Sequence, residues 1–153
     1  MKILIVYFSF SGATKSLAED ISLVTEGDLR ELVLKNPYDF SKNSTVKDIR
    51  TEIETGHCPD LASGNETVAD YDIIFIGTPN WLKTFAPPIR TFLRDVDIDD
   101  KVIVTFCTHG GGGLGKFADD LKEICLNSRF KDPIYFNGSY SLEDLERKLN
   151  EIL

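Results

Sequence analysis

The chain has 153 residues, of which 25 are acidic and 17 basic, giving a formal net charge of −8. A chain of this length buries roughly 70% of its unfolded surface on folding, so a single domain spanning residues 1–153 needs neither metal nor disulfide to close its core. The composition, 42% apolar and 27% charged, is that of a globular protein, and the acid surplus without any basic run argues against nucleic acids and anionic membranes as partners.

Met1 and Lys2 lead straight into an apolar run at 3–8. That run is too short and wrongly flanked for a signal peptide. No stretch approaches the ~20 apolar residues of a spanning helix, so the expected location is cytoplasmic. Cys58, Cys107 and Cys125 are odd in number and contain no C-x-x-C pair, which favours reduced structural thiols over disulfides or zinc.

In chain order, the run 3–8 predicts a strand buried on both faces. Residues 14–24 predict a helix with Leu17, Ala18, Ile21 and Val24 on one side. A second strand is expected at 29–34, ended by Asn36-Pro37, and a short helix opens at Thr45-Val46-Lys47-Asp48 with a capping-box-like start, carrying Val46, Ile49 and Ile53. The tract 56–67 reads as loop. A third strand follows at 72–77, and Pro87-Pro88 sits where a helix with Ile89, Phe92 and Leu93 begins, since proline in the first turn gives up no intrahelical hydrogen bond. A fourth strand at 101–107 precedes a helix with Phe117, Leu121, Ile124 and Cys125. A fifth at 133–136 precedes a last helix from Ser141, with Leu142, Leu145, Leu149, Ile152 and Leu153 on its apolar side. Five strands, each followed by a helix and each too apolar to face water, predict a doubly wound α/β domain with a five-stranded parallel sheet between helical layers.

Ligands of such sheets bind beyond the carboxyl ends of the strands, which directs attention to three loops. The first, Ser9-Phe10-Ser11-Gly12-Ala13-Thr14, combines three hydroxyls, a turn-permitting glycine and the unpaired N–H groups of a helix start, a set suited to a phosphate. It is not a nucleoside triphosphatase loop, because Lys15 follows Thr14 rather than a glycine. The second, residues 78–86, with Thr78, Pro79, Asn80, Trp81 and Leu82 as its candidate ligand residues, holds the only tryptophan of the chain where an indole can stack on a flat ligand or fold back over the core. The third, Thr108-His109-Gly110-Gly111-Gly112-Gly113, offers a rim without bulky side chains, on which His109 either bonds a ligand or faces solvent. Gly110, Gly112 and Gly115 satisfy G-x-G-x-x-G literally, but a dinucleotide fingerprint belongs to the first strand of its unit and wants an acid after the next; only 38 residues follow Gly115.

Together the three loops fit a phosphorylated flat ring system such as flavin mononucleotide (FMN), and here the chain resembles the flavodoxin family. Residues 9–14 resemble its S/T-x-S/T-G-x-T phosphate loop, residues 72–93 its third strand and flavin-stacking loop, and residues 108–115 the flavin-edge loop of a flavodoxin-like subfamily. The resemblance implies sheet order 2-1-3-4-5, a flavodoxin-like three-layer sandwich, non-covalent FMN and electron shuttling between protein partners. The third loop lacks the tyrosine that often covers the second flavin face, so a more open face is expected. An NAD(P)H-dependent FMN quinone reductase on the same fold is the alternative function, and a cofactor-free binding domain a third. Stacking on Trp81 and the charge of −8 are expected to disfavour the reduced, negatively charged cofactor, and basic reductases or acceptors are the expected partners. Residues 8–18, 73–94 and 101–118 contain no Asp or Glu, which keeps carboxylates out of the ligand loops.

Overall fold

In the computed structural model, which describes residues 1–109 and 115–153, β1 (Ile3–Tyr7) is flanked by β2 (Asp28–Glu31) on one side and β5 (Ile73–Trp81) on the other, both parallel to it. β7 (Val102–His109) lies on the far side of β5. The fifth position is filled end to end by two short strands, β8 (Arg129–Phe130) against Val102 and Ile103, and β9 (Ile134–Asn137) against the stretch from Phe106 to His109. The parallel order is therefore the expected 2-1-3-4-5, with the fifth strand broken in two.

Strand alternation sorts the core into two layers. Leu4, Val6, Ile74, Ile76 and Ile103 point to one face, where they meet α3 (Pro87–Asp95) through Ile89 and Phe92 and α4 (Phe117–Ile124) through Phe117 and Leu121; α2 (Thr45–Thr55) buries Ile49. Ile5, Tyr7, Phe75, Val104 and Phe106 point to the other face, under α1 (Ala13–Thr25) and α5 (Leu142–Ile152), which contribute Leu17, Ala18, Ile21, Leu145 and Leu149. Each fully buried side chain of this kind stabilises the fold by ~1.5–3 kcal/mol, so the central strands are its most robust part. No helix among the described residues is long and apolar enough to cross a membrane.

Several expectations from the sequence need correction. β2 is a solvent-facing edge strand, with Asp28, Leu29 and Glu31 exposed, because a parallel edge has only one neighbour to cover it. The predicted second strand splits after Glu31: β3 (Val33–Leu34) turns away to pair antiparallel with β4 (Leu61–Ser63), inside the tract expected to be loop. α2 is capped from Ser44 without a side-chain cap bond, and the Thr45 hydroxyl instead donates to the carbonyl of Asp39. The capping box sits on α5: Ser141 Oγ accepts from Asp144 N and Ser141 N donates in return to Asp144 Oδ2, and these bonds hold the Asp144 carboxyl below its ordinary range. Val46, Ile124, Leu142 and Leu153, placed on apolar faces by their spacing, are exposed.

Candidate functional site

The loop after β1 turns sharply outward. Gly12, at φ 95°, takes a left-handed conformation as the residue before α1, and nothing lies within 4 Å of where its Cβ would be. Ser9 Oγ sits in the mouth of this turn and accepts hydrogen bonds from the backbone N–H groups of Gly12 and Lys15, both at 3.2 Å. An oxygen is thus already held where two first-turn donors converge, and the same donors, with the positive end of the helix dipole behind them, suit a phosphate oxygen. Phe10, Ser11, Gly12 and Ala13 are exposed around this cradle, while Thr14 is buried beneath it.

The second loop is not a loop but the end of a strand. β5 runs on through Thr78, Pro79, Asn80 and Trp81, and folds back as β6 (Thr84–Phe85), pairing Asn80 with Phe85 and Trp81 with Thr84. Leu82 and Lys83 make the two-residue turn, at φ 53° and 69°. Both left-handed angles are what a tight hairpin with right-handed strand twist requires, and non-glycine residues adopt them at ~1–2 kcal/mol each. Thr78, completely buried, pins the hairpin: its Oγ1 accepts from Ala86 N at 2.9 Å and donates to Pro79 O at 2.9 Å. This hydroxyl serves the hairpin rather than facing outward as a cofactor ligand would.

Trp81 ends β5 half-buried at the carboxyl edge of the sheet, between the two alternatives posed by its sequence position. Its indole meets Phe8 and Tyr38 edge-on, each with ring centroids 5.6 Å away, and Phe40 at 5.9 Å. Phe10, from the anion-cradle loop, completes the group at 6.3 Å. Phe8, Tyr38 and Phe40 escaped the sequence reading as site residues: Phe8 counted only as the end of the apolar run 3–8, and Tyr38 and Phe40, just after the second strand, were signalled by nothing but their aromatic type. Tyr38 OH donates to Glu52 Oε2 at 2.7 Å, and burial together with this bond pushes its phenol well above the ordinary tyrosine range. Beside the indole lies a shallow apolar hollow of about 180 Å³ lined by Phe40, Val46, Ile49, Asn80, Trp81 and Leu82.

Of the third loop, Thr108 and His109 end β7, paired with Phe136 and Asn137, while Gly110, Gly111, Gly112 and Gly113 lie outside the described residues. Where the chain resumes, Gly115 passes against the hairpin tip at φ 62°, and a Cβ there would come within 2.6 Å of the Lys83 carbonyl oxygen. Lys116 N donates to that same oxygen at 2.7 Å, and Thr84 Oγ1 donates to Asp120 Oδ2 at 2.5 Å. The start of α4 and the hairpin are therefore bound together. A larger cleft, about 420 Å³, lies behind this junction and is lined by polar groups including Glu52, His57, Arg90, Asp120 and Glu123. None of its lining residues belongs to the Ser9–Thr14 turn.

The arrangement offers an anion cradle at the β1–α1 turn and a half-buried indole at the neighbouring strand end, the two demands of a phosphorylated aromatic ligand. Among the described residues no group of three or more His, Cys, Asp and Glu side chains is placed to hold a metal. A family model described as flavodoxin matches residues 2–152. A solved structure assigned to the flavoproteins from Bacteroides eggerthii is 28% identical, covers 99% of this chain and 97% of its own, and superposes with a TM-score of 0.87. A Lactobacillus acidophilus flavoprotein in complex with FMN is 26% identical over 88% of this chain and 92% of its own, with a TM-score of 0.73. An archaeal flavodoxin, 18% identical over 96% of this chain and 92% of its own, shares the fold at a TM-score of 0.56.

Proposed function

This chain belongs to the flavodoxin family, and from that membership we propose that it binds FMN at the carboxyl edge of the sheet and carries electrons between redox partners. The observation that carries the reading is the pairing of the Ser9–Gly12–Lys15 cradle with the indole of Trp81 on the adjacent strand. The complex of the Lactobacillus relative with FMN supports the identity of the ligand.

When bound, FMN supplies one- and two-electron chemistry on its ring, and the protein sets the binding and the potential. In the proposed site the N–H groups of Gly12 and Lys15, which here donate to the Ser9 hydroxyl, would hold the phosphate, with the Ser9 hydroxyl as a further donor. Ser11 and Thr14 belong to the same turn and complete the phosphate-binding set. Trp81 offers an apolar face that excludes water and disfavours added negative charge on the ring, so the low-potential couple falls below that of free FMN. Fixed backbone pairing on β1, β5 and β7 leaves little to reorganise when electrons arrive, which suits a carrier.

The test begins with the purified protein. It should be yellow, release FMN on denaturation, and give in a redox titration a low-potential couple more negative than that of free FMN. A couple no more negative than free FMN would remove the proposed role of Trp81. Steady oxidation of NAD(P)H with a quinone, without any added reductase, would replace the carrier reading by that of a quinone reductase.

A further inference from the structure

The charges around the cofactor edge are opposite in sign to the charge of the whole chain. Four segments at this edge, residues 8–18, 37–49, 78–86 and 115–118, contain Lys15, Lys42, Lys47, Lys83 and Lys116 and two acids, Asp39 and Asp48, while Glu52 and Asp120, which also reach these segments, accept hydrogen bonds from Tyr38 and Thr84. The rest of the chain holds 12 basic and 23 acidic residues. All five lysines are exposed, and none is within 4 Å of a carboxylate among the described residues. Asp39 is held by Ser41, whose hydroxyl and N–H both donate to its Oδ1.

The same segments carry an apolar surface. Phe10, Phe40, Val46 and Leu82 are 55%, 39%, 54% and 42% exposed. The rings of Phe10 and Phe40 are in contact at 4.3 Å, and the hollow beside Trp81 joins Phe40 to Val46 and Leu82. Lys42 stands two residues from Phe40, Lys47 follows Val46 and Lys83 follows Leu82, so three of the four apolar residues have a lysine within two positions in the chain. Lys116 is drawn to the same tip by its hydrogen bond to the Lys83 carbonyl. An apolar centre with a charged rim is the anatomy of a protein-binding face.

We propose that this face, Phe10, Phe40, Val46 and Leu82 with the five exposed lysines of the same segments, is the docking surface for an acidic redox protein. The inference rests on the electron-carrier reading above and reverses the sign of partner that the net charge of −8 suggests. Salt decides between the two charges. At physiological ionic strength the screening length is about 8 Å, so a partner at contact feels the lysines of the face far more than the acids beyond it. A basic partner would instead meet a like-charged rim, which disfavours that pairing.

The test uses isotope-labelled, FMN-loaded protein titrated with two haem proteins, acidic cytochrome b5 and basic cytochrome c, at low and high salt. Cytochrome b5 should shift the amide resonances around Phe40, Val46 and Lys83, weaken with salt, and lose about tenfold in affinity in the double variant Lys42→Glu/Lys47→Glu, while FMN affinity stays unchanged. Val46→Asp should weaken cytochrome b5 as well. Tighter binding of cytochrome c on the same residues would overturn the inference, as would binding to phosphatidylserine vesicles with no footprint from cytochrome b5. If the footprint is found but the reduced protein passes electrons to neither cytochrome, the docking surface stands and the carrier reading falls.

Discussion

The backbone N–H of Lys116 donates a 2.7 Å hydrogen bond to the carbonyl of Lys83, joining the start of α4 to the tip of the hairpin that carries Trp81. The contact depends on the residue before it. Gly115 adopts φ 62°, and any Cβ there would sit 2.6 Å from the same carbonyl oxygen.

Gly115→Ala should therefore cost about 1–2 kcal/mol from the left-handed conformation alone, with a further loss as the Lys83 carbonyl is pushed aside. Urea unfolding of the cofactor-free protein measures the first effect, and FMN titration reads the loosened hairpin as weaker binding. Unchanged values in both experiments would mean that the hairpin and α4 are not coupled.

Trp81→Ala should weaken FMN by ~1–3 kcal/mol if the indole stacks on the ring as aromatic side chains stack on bases. The same change removes edge contacts to Phe8 and Tyr38, so the cofactor-free protein should also lose stability. Trp81→Phe keeps part of the packing and separates the two effects. Fluorescence titration with FMN is the measurement, and equal affinity in Trp81→Ala would show that the indole only packs.

Burial first, and then the bond to Glu52, raise the Tyr38 phenol far above its ordinary value. The folded state thus holds the neutral phenol more tightly than the unfolded chain does. That stabilisation is intact below about pH 10, where an unfolded tyrosine titrates, and is lost as pH climbs from there toward the folded value. Urea midpoints followed into the alkaline range should fall, and Tyr38→Phe should flatten the fall. An identical alkaline slope in the variant would assign the effect to other groups.

The three cysteines should differ in reactivity. Burial pushes the Cys107 thiol up to about 12 and the Cys125 thiol to about 11, whereas Cys58 is half-buried. Because the thiolate is the reactive form, a disulfide reagent at neutral pH should modify Cys58 promptly and the other two only as the protein unfolds. Rapid modification of all three in the native state would contradict the packing of β7 and α4.

Much of this architecture was legible in the residues. The runs at 3–8, 72–77 and 101–107 are too apolar to lie anywhere but a covered sheet, and Pro87-Pro88 marks the start of α3 because proline suits no later position in a helix. What escaped has a physical reason. The hairpin at Leu82-Lys83 carries neither Asn nor Gly, the residues that announce a turn with two left-handed angles, so its sequence resembles a loop. β4 has three residues and its partner β3 two, lengths at which alternation gives no signal. Spacing likewise predicted a cap from Thr45 but could not foresee that its hydroxyl would bond to Asp39 instead. In the site, the Ser9 to Thr14 turn and the placement of Trp81 were readable from their position after strands. The aromatic cluster around Trp81 was not, since Tyr38 and Phe40 reach it from a loop that sequence periodicity leaves blank.

The way β5 ends has a mechanical consequence. Trp81 does not hang on a free loop; it rides on a strand that is bridged to its own return, riveted at the base by Thr78 and at the tip by Lys116. A flap anchored at both ends can rock but cannot slide, because sliding would break the Asn80–Phe85 and Trp81–Thr84 register in one step. The indole is thereby confined to a short arc over the sheet edge, and a ring resting on it would be held at a nearly constant height while electrons pass.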